Sequence, residues 1–349
     1  MQQKKQFRYP LFIILGSAVL VTALAGSRRF DWEGVMAWCG VERWSVKTGT
    51  DADVNKVNVN SPQPNTIATM WTWPAQANPP PNNRVSPYET TAWTLSATLV
   101  EFKAESDEDT HLVLKDGTGH TMIAEIPAPH CVSSGSPFLA GITSAYNSLR
   151  AHYTPSGSFQ TVNVPVQITG VGMFDFAHGQ TGAAPNQIEL HPVINLVFLR
   201  TVAGTVSLEQ VPAGFQNQTL NFEFRPLPGG ASFVRTQTLT SSGGFSFTDI
   251  PAGSYNLAIN GSKWLRSVVP VNANNGNVTN VSAALNGADA NGDNSVDATD
   301  FGILVSAYNT DSSVTGGGYN AQADFNCDGA INATDFGILV GNYDTVGAM

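Results

Sequence analysis

The sequence predicts a mainly β, multidomain chain that contains a barrel with one helix, a β-sandwich and a small α-helical C-terminal domain. Short apolar runs that alternate with polar residues recur between Gly- and Pro-containing turns over most of the chain. One amphipathic helical run interrupts them, and an Asp- and Asn-rich segment is repeated near the C-terminal end. With 349 residues, we expect two or three domains of about 100 to 150 residues each.

Residues 1–25 have the features of a secretory signal peptide. Lys4, Lys5 and Arg8 precede an apolar run that ends in the small-residue pattern Ala23-Leu24-Ala25. The run is short for a membrane span, which needs about 20 residues, and an uncleaved anchor is the alternative. We therefore predict a secreted or cell-surface protein with no membrane contact beyond export.

The charge of the chain argues against one class of function. Its formal net charge is -10 and its pI is near 4.9. Nucleic-acid-binding proteins need a basic surface to displace counterions from phosphates. We therefore expect no nucleic-acid partner.

Three cysteines in an exported chain allow one disulfide bond. Cys39 and Cys131 flank the N-terminal domain, whereas Cys327 lies far away in the acidic C-terminal segment. We predict a bond between Cys39 and Cys131. Two separate buried thiols are the alternative.

Residues 26–199 are predicted to form an OB-like β-barrel with a long N-terminal wrapping segment. Ser136 and Pro137 begin an amphipathic run that predicts a capped helix. Strand-like runs lie on both sides of it, at residues 93–103, 110–115, 120–126, 160–174 and 187–198. Three strands, a helix and two strands is the element order of an OB-type barrel. Such barrels bind oligonucleotides or sugars, and carbohydrate is a candidate ligand here because Trp71, Trp73 and Trp93 could stack on sugar rings. Packing of these Trp side chains in the core is the alternative.

One segment of this domain carries several reactive side chains. The sequence VGMFDFAHGQTGAAPNQIELHPV contains Asp175, His178, Glu189 and His191, and Asp109 and His111 could approach from a neighbouring strand. Imidazole and carboxylate groups together can perform acid–base hydrolysis or hold a catalytic metal. Their spacing matches no catalytic or metal signature, and side chains that bond their own loop are the alternative. Asp175, His178, Glu189 and His191 are therefore the candidate catalytic residues. The alternative function is an extracellular hydrolase of glycosidic, ester or phosphoester bonds.

Residues 200–285 are predicted to form a β-sandwich, because short alternating runs are separated by turns at nearly regular spacing. These runs are residues 202–208, 220–225, 232–239, 244–248, 254–259, 265–271 and 278–284. The phrase GGFSFTDIPAGSYNLAI resembles carboxypeptidase regulatory-like sandwiches of the prealbumin type. The segment has no His or Cys and few carboxylates, so a spacer or a weak binding domain is the expected role.

The C-terminal segment contains two copies of one loop. Residues 289–308 read DANGDNSVDATDFGILVSAY, and residues 324–343 read DFNCDGAINATDFGILVGNY. Oxygen-bearing side chains occupy loop positions 1, 3, 5, 9 and 12, and position 7 supplies a backbone carbonyl, which suits a Ca²⁺ ion. No helix-forming run precedes either loop, so two half EF-hands and two bound Ca²⁺ ions are predicted; solvated Asp and Asn turns are the alternative. The predicted ligands are Asp289, Asn291, Asp293, Ser295, Asp297 and Asp300, then Asp324, Asn326, Asp328, Ala330, Asn332 and Asp335.

The paired loops of residues 286–349 resemble the type I dockerin modules that attach secreted polysaccharide-degrading proteins to cohesin modules. This resemblance implies a cohesin-type partner and a setting in polysaccharide use. In that family, loop positions 10 and 11 help to select the cohesin. The corresponding residues here are Ala298, Thr299, Ala333 and Thr334, with Ala at a position where the family often has Ser. A calcium-stabilised tail without a partner is the alternative.

The residues of this C-terminal segment include nine Asp and no Lys or Arg. Such a segment repels itself, and two Ca²⁺ ions would cancel four of its charges and order both loops. The sequence therefore predicts a secreted, non-catalytic binding or structural protein with a calcium-dependent dockerin domain.

Overall fold

The computed structural model describes residues 39–40, 42–177 and 179–349, and these ranges contain three hydrophobic cores. The predicted signal peptide, residues 1–25, lies outside them. No helix in these ranges combines the length and the apolar content that crossing a membrane requires. The helices are α1 (Trp44–Thr48), α2 (Ile67–Trp71), α3 (Leu139–His152), α4 (Ala298–Ser306) and α5 (Ala333–Asn342).

The fold is mainly β, as predicted. The strands are β1 (Asn58–Pro64), β2 (Thr91–Ala104), β3 (Asp109–Lys115), β4 (Thr121–Pro127), β5 (Gln160–Phe174), β6 (Ile188–Leu208), β7 (Thr219–Leu227), β8 (Phe233–Thr238), β9 (Gly244–Pro251), β10 (Ser254–Asn260), β11 (Ser267–Asn272), β12 (Val278–Leu285), β13 (Thr310–Asp311) and β14 (Ala330–Ile331).

Strands β2 to β6 form a closed barrel. β2 pairs antiparallel with β3 and with β5, and β3 pairs antiparallel with β4. β6 pairs antiparallel with β5 and meets β4 in parallel at Ala124 and Leu190, which completes the ring. The order of three strands, one helix and two strands is the order that the sequence predicts. Strand β1 adds to the outer side of β2 in parallel.

Helix α3 covers the barrel through Ile142, Ala145 and Leu149, which lie on one helical face and are fully buried. The predicted side-chain cap of this helix at Ser136 is wrong, because the helix begins at Leu139 and has no side-chain cap. The Ser136 hydroxyl instead donates to the carbonyl oxygen of Thr48 at 2.6 Å and accepts from the backbone N–H of Phe138 at 3.1 Å. It therefore fixes the turn before the helix to the N-terminal segment.

The segment before β2 wraps around the barrel and is attached to it by polar contacts. The predicted disulfide bond between Cys39 and Cys131 is present. Two buried pairs, Arg43 with Glu89 and Arg84 with Asp51, join distant parts of the segment. The wrap is therefore held by charge pairs and a covalent bond as well as by apolar packing.

The aromatic side chains of the wrap, and Trp93 near the start of β2, are half-buried. The indole N–H of Trp71 donates to the carbonyl oxygen of Thr121, and that of Trp93 donates to the carbonyl oxygen of Tyr88. The ring of Trp73 packs between those of Tyr88 and Trp93. These three Trp side chains pack against the core of the barrel, as the alternative to sugar stacking predicts.

Two sheets form the sandwich. One contains β12, the second half of β6 and β9, and the other has the order β11-β10-β7-β8. Phe222 and Phe224 of β7 face Phe245 and Phe247 of β9 in the core, as alternation along each strand requires. Strand β6 continues without a break from the barrel into the sandwich, through the boundary predicted at residues 199 and 200.

Helices α4 and α5 and the two loops before them form the third core, which includes Phe325 and Leu339. This domain contacts the sandwich through polar side chains. The ammonium of Lys263 donates to the carbonyl oxygens of Ala321 and Asp324. The carboxylate of Glu209 accepts from the backbone N–H of Gly287 at 2.9 Å.

Candidate functional site

The first C-terminal loop is organised around two buried carboxylates at its ends. Asp289 accepts hydrogen bonds from the backbone N–H groups of Asp293 and Asn294 at 3.0 and 2.9 Å. Asp300 accepts from those of Asn291 and Asp297 at 3.0 and 2.8 Å. The loop backbone is therefore wrapped around the carboxylates at loop positions 1 and 12.

The second loop repeats this arrangement. Asp324 accepts from the backbone N–H groups of Asp328 and Gly329 at 3.2 and 3.0 Å, and Asp335 accepts from those of Phe325 and Asn332 at 2.8 and 3.0 Å. The remaining predicted ligands lie between these ends in both loops: Asn291, Asp293, Ser295 and Asp297, then Asn326, Asp328, Ala330 and Asn332. Each loop thus brings together the carboxylate, amide and carbonyl oxygens that suit a Ca²⁺ ion.

Loop position 6 has the left-handed backbone that the turn requires. Asn294 has φ of 71° and Gly329 has φ of 87°, so Asn adopts in the first loop the conformation that Gly adopts in the second. Position 12 lies in the first turn of the following helix, where Asp300 and Asp335 complete capping boxes with Asp297 and Asn332. The helices and the loops therefore depend on the same side chains.

Burial makes a negative charge costly in these loops. It raises the pKa of the Asp289 carboxyl and of the Asp335 carboxyl. A divalent cation among these oxygens would offset the cost, so the residues present fit the ion that the sequence predicts.

The two exiting helices expose matching side chains. Ala298 and Thr299 begin α4, Ala333 and Thr334 begin α5, and all four are exposed. Farther along, two large apolar side chains of each helix and a Tyr just after its end are also exposed, by 40% to 56% of their surface. We call these six the exposed apolar face: Phe301 and Val305 of α4 with Tyr308 just after it, and Phe336 and Val340 of α5 with Tyr343 just after it.

A second polar cluster lies inside the barrel. Nδ1 of His191 lies 3.1 Å from Glu189 and 3.1 Å from Glu125, and its Nε2 lies 3.3 Å from Asp109. The other oxygen of Glu125 lies 3.0 Å from Nδ1 of His111. All five side chains are buried. Alternation along β3, β4 and β6 places them together, because residues two apart on a strand share a face.

The pKa values in this cluster are moved by burial and by the neighbouring charges. Burial and the neighbouring Glu125 carboxylate together raise the pKa of Glu189 to about 7. Burial and the charge of Lys47 oppose protonation of His191, but hydrogen bonds to three carboxylates outweigh them and raise its pKa. Burial also opposes ionisation of Glu125, yet the two imidazoles lower its pKa.

The hydrolase candidates are only partly brought together. Glu189 and His191 are in contact, Asp175 follows β5 as a buried side chain with one unpartnered carboxylate oxygen, and His178 lies outside the described residues. Asp109 of β3 reaches His191, as predicted, whereas His111 meets the cluster only through Glu125 of β4, which lies between β3 and β6. Among the described residues, burial leaves Glu189 and His191 no opening to solvent through which a substrate could reach them.

Sequence reasoning missed Lys47 and Glu125. Glu125 bridges the two imidazoles, and the charge of Lys47 acts on Glu189, Glu125, Asp175 and Asp109. Glu125 lies in an apolar strand, where a buried charge is unexpected. Glu125 in TMIAEIP was therefore a usable signal, whereas Lys47 lies in a five-residue helix with no clear pattern.

The duplicated loops, half EF-hand helices and exposed apolar face define a small calcium-loop domain at the C-terminal end. The family model for the dockerin type I domain matches residues 287–342. This segment of the chain is therefore a dockerin type I domain, as the sequence predicts, and calcium-binding is a general property of such domains.

Two solved structures are similar to part of this chain. They are a C-terminal and an N-terminal interface mutant of a type II cohesin–X-dockerin complex from Acetivibrio cellulolyticus. The matched chains are 21% and 20% identical to this one, with TM-scores of 0.35 and 0.33. Each match covers 42% of this chain and 97% of the matched chain. Both scores are too low to define the fold of the upstream domains. No curated protein matches the chain.

Proposed function

We propose that this chain is a secreted, non-catalytic binding or structural protein that its dockerin domain attaches to a cohesin-type module when calcium is bound. The observation that carries the proposal is the duplication: two equivalent loops each end in a helix that exposes the same apolar residues. We place the protein in an extracellular setting of polysaccharide use, with domain limits at residues 26–199, 200–285 and 286–349.

Calcium is the proposed switch for attachment. Each loop supplies the six ligand positions predicted from the sequence, so the domain would hold two ions. Position 12 of each loop also caps its helix, so an ion bound there would order the loop and the helix start together. The exposed apolar face would then be presented in a fixed geometry only when calcium is bound.

The exposed apolar face supports a protein partner. Large apolar side chains clustered on one surface of a domain mark interaction sites, since their exposure to water is costly. Ala298 lies three residues before Phe301 and seven before Val305, so it shares their helical face, and Ala333 relates to Phe336 and Val340 in the same way. Ala298 and Ala333, two of the proposed cohesin-selecting residues, therefore lie on the same helical faces as the exposed apolar side chains that follow them.

Export is supported by the disulfide bond between Cys39 and Cys131, because such bonds persist in oxidising compartments. The predicted signal peptide supplies the route. The burial of Glu189 and His191 supports the non-catalytic assignment over the hydrolase, since a hydrolase must expose its acid and base to the substrate.

Capture of the full chain by immobilised cohesin-type modules tests the proposal. We expect capture with calcium and none with chelator. The double variant Val305→Ser, Val340→Ser should weaken capture by about 30-fold or more, which is the loss expected when an interface anchor is removed. Val234→Ser is the matched control, because Val234 lies on the sandwich with the same exposure, 53% against 52% for Val305.

Capture that is indifferent to calcium would contradict the proposed switch. Equal losses for the double variant and for Val234→Ser would contradict the proposed surface. Failure of every cohesin module tested to bind the calcium-loaded chain would favour a calcium-stabilised tail without such a partner.

A further inference from the structure

A set of metal-binding donors unlike that of the calcium loops lies in the barrel. His111 of β3 is fully buried and lies opposite Glu125 of β4 in the strand register. Its Nδ1 lies 3.0 Å from a carboxylate oxygen of Glu125 and 3.6 Å from one of Glu105. One nitrogen and two carboxylate oxygens therefore converge on a common point.

The other ring nitrogen of His111 fixes the protonation of the imidazole. Nε2 lies 2.9 Å from the backbone carbonyl oxygen of Thr181. A carbonyl oxygen can only accept, so Nε2 carries a proton and Nδ1 faces the two carboxylates. The lone pair of Nδ1 repels the two carboxylates unless a second proton or a cation lies between them. Metal-bound histidines usually have their second ring N–H held in this way by a carbonyl or a carboxylate.

We propose that Nδ1 of His111 and the carboxylates of Glu105 and Glu125 bind one divalent first-row transition metal ion of the Zn²⁺ class. The distances from Nδ1 to the two carboxylate oxygens are 3.0 and 3.6 Å. They lie on either side of about 3.4 Å, the distance between two ligand atoms in a tetrahedral site with Zn²⁺ bond lengths. Glu125 is held in place by its second oxygen, 3.1 Å from Nδ1 of His191. Water would complete the coordination.

The site has a path to solvent. The Glu105 side chain is partly exposed and lines a surface groove together with Lys103 and Gly157. An ion can therefore arrive at Glu105 and bind His111 and Glu125 from that side. The mixed nitrogen and oxygen donors favour Zn²⁺ or Co²⁺, whereas the all-oxygen loops favour Ca²⁺.

Lys103 competes with the ion for Glu105. Its ammonium lies 3.1 Å from the same Glu105 oxygen that faces His111, and it also lies over the ring of Phe159. The side chain is partly exposed, so the ammonium can move into water when a metal binds. Removal of this charge should therefore strengthen metal binding.

The test is a metal titration of the full chain in saturating Ca²⁺, so that the dockerin loops are already filled. Zn²⁺ binding is followed by calorimetry and Co²⁺ binding by its visible absorption. We expect one ion per chain and an affinity at least about 10-fold lower in Glu105→Gln. Lys103→Gln should bind more tightly than the wild type. His130→Gln is the control, because it removes an exposed histidine elsewhere on the barrel.

Glu105→Gln changes a side chain near the surface, so the barrel should keep its circular dichroism spectrum and its melting temperature without metal. The absence of a bound ion beyond calcium in the wild type would overturn the site. Equal Zn²⁺ affinity in the wild type and in Glu105→Gln would overturn it as well.

Discussion

Individual charged side chains attach the N-terminal wrap to the barrel. Arg43 and Glu89 form a bidentate pair at 2.6 and 2.9 Å, and both side chains are almost fully buried. Glu89 also accepts from the backbone N–H groups of Val85 and Phe174. One carboxylate therefore joins three parts of the chain.

Glu89→Gln should lower the free energy of unfolding by about 3 to 5 kcal/mol, because it leaves the Arg43 charge buried without a counter-charge. Chemical denaturation of the calcium-loaded chain measures the change. Asp249→Asn is the control, since Asp249 pairs with Arg235 at the surface and its loss should matter much less. Similar losses for the two variants would show that the buried pair has no special role.

Sequence reasoning located the two Asp- and Asn-rich loops but not these pairs. Spacing alone defines a loop in which Asp and Asn alternate, because its ligands are local. Arg43 and Glu89 are 46 residues apart, and only the folded wrap brings them together. The same limit applies to Lys47 and Glu125 in the buried cluster.

Among the elements, β3, β4 and β6 carry polar side chains on faces that are otherwise apolar. Asp109, His111, Glu125, Glu189 and His191 meet there because each strand contributes alternate residues. The element order of the barrel was predictable from alternation and from one amphipathic helix. The meeting of β4 with β6 was not, since a parallel contact between strands far apart in sequence has no local signal.

The buried cluster should make the stability depend on pH when no transition metal is bound. The pKa of His191 is raised in the folded protein. Its contribution to folding stability is therefore complete below the pKa of His in the unfolded chain, about 6.5, and is lost as pH rises through the folded-state pKa. The pKa of Glu189 is raised to about 7. At pH values above its unfolded pKa, Glu189 therefore also holds more protons in the folded state than in the unfolded state. Stability should therefore fall as pH rises from about 6 to 8.

Denaturation curves across this pH range measure that slope, and His191→Gln should reduce it. His120→Gln is the matched control, because His120 is partly exposed and lies outside the cluster. A stability that rises over this interval, or an unchanged slope in His191→Gln, would contradict the assignment.

At the scale of the whole molecule, the domains share structure. Strand β6 belongs to both the barrel and the sandwich, and Lys263 of the sandwich donates to the backbone of Asp324, the first residue of the second calcium loop. The repeat was visible in the sequence, but this contact was not, because Lys263 lies outside every motif. The sandwich therefore supports the second loop directly.

Lys263→Met should weaken the second calcium site by about 10-fold or more, since a charged donor to a buried carbonyl contributes about 1.5 to 3 kcal/mol. The first site should be unaffected. Calcium calorimetry of the full chain measures both sites, with Lys115→Met as the control for an exposed lysine of the barrel. An unchanged second site would mean that the loop forms independently of the sandwich.

Calorimetric titration of calcium into the chelator-treated full chain tests the central claim most directly. We expect two ions per chain, one in Asp324→Ala, and two in the control Asp311→Ala, whose carboxylate lies between the loops. Uptake of fewer than two ions by the wild type, or an unchanged number in Asp324→Ala, would contradict the claim that both loops are calcium sites.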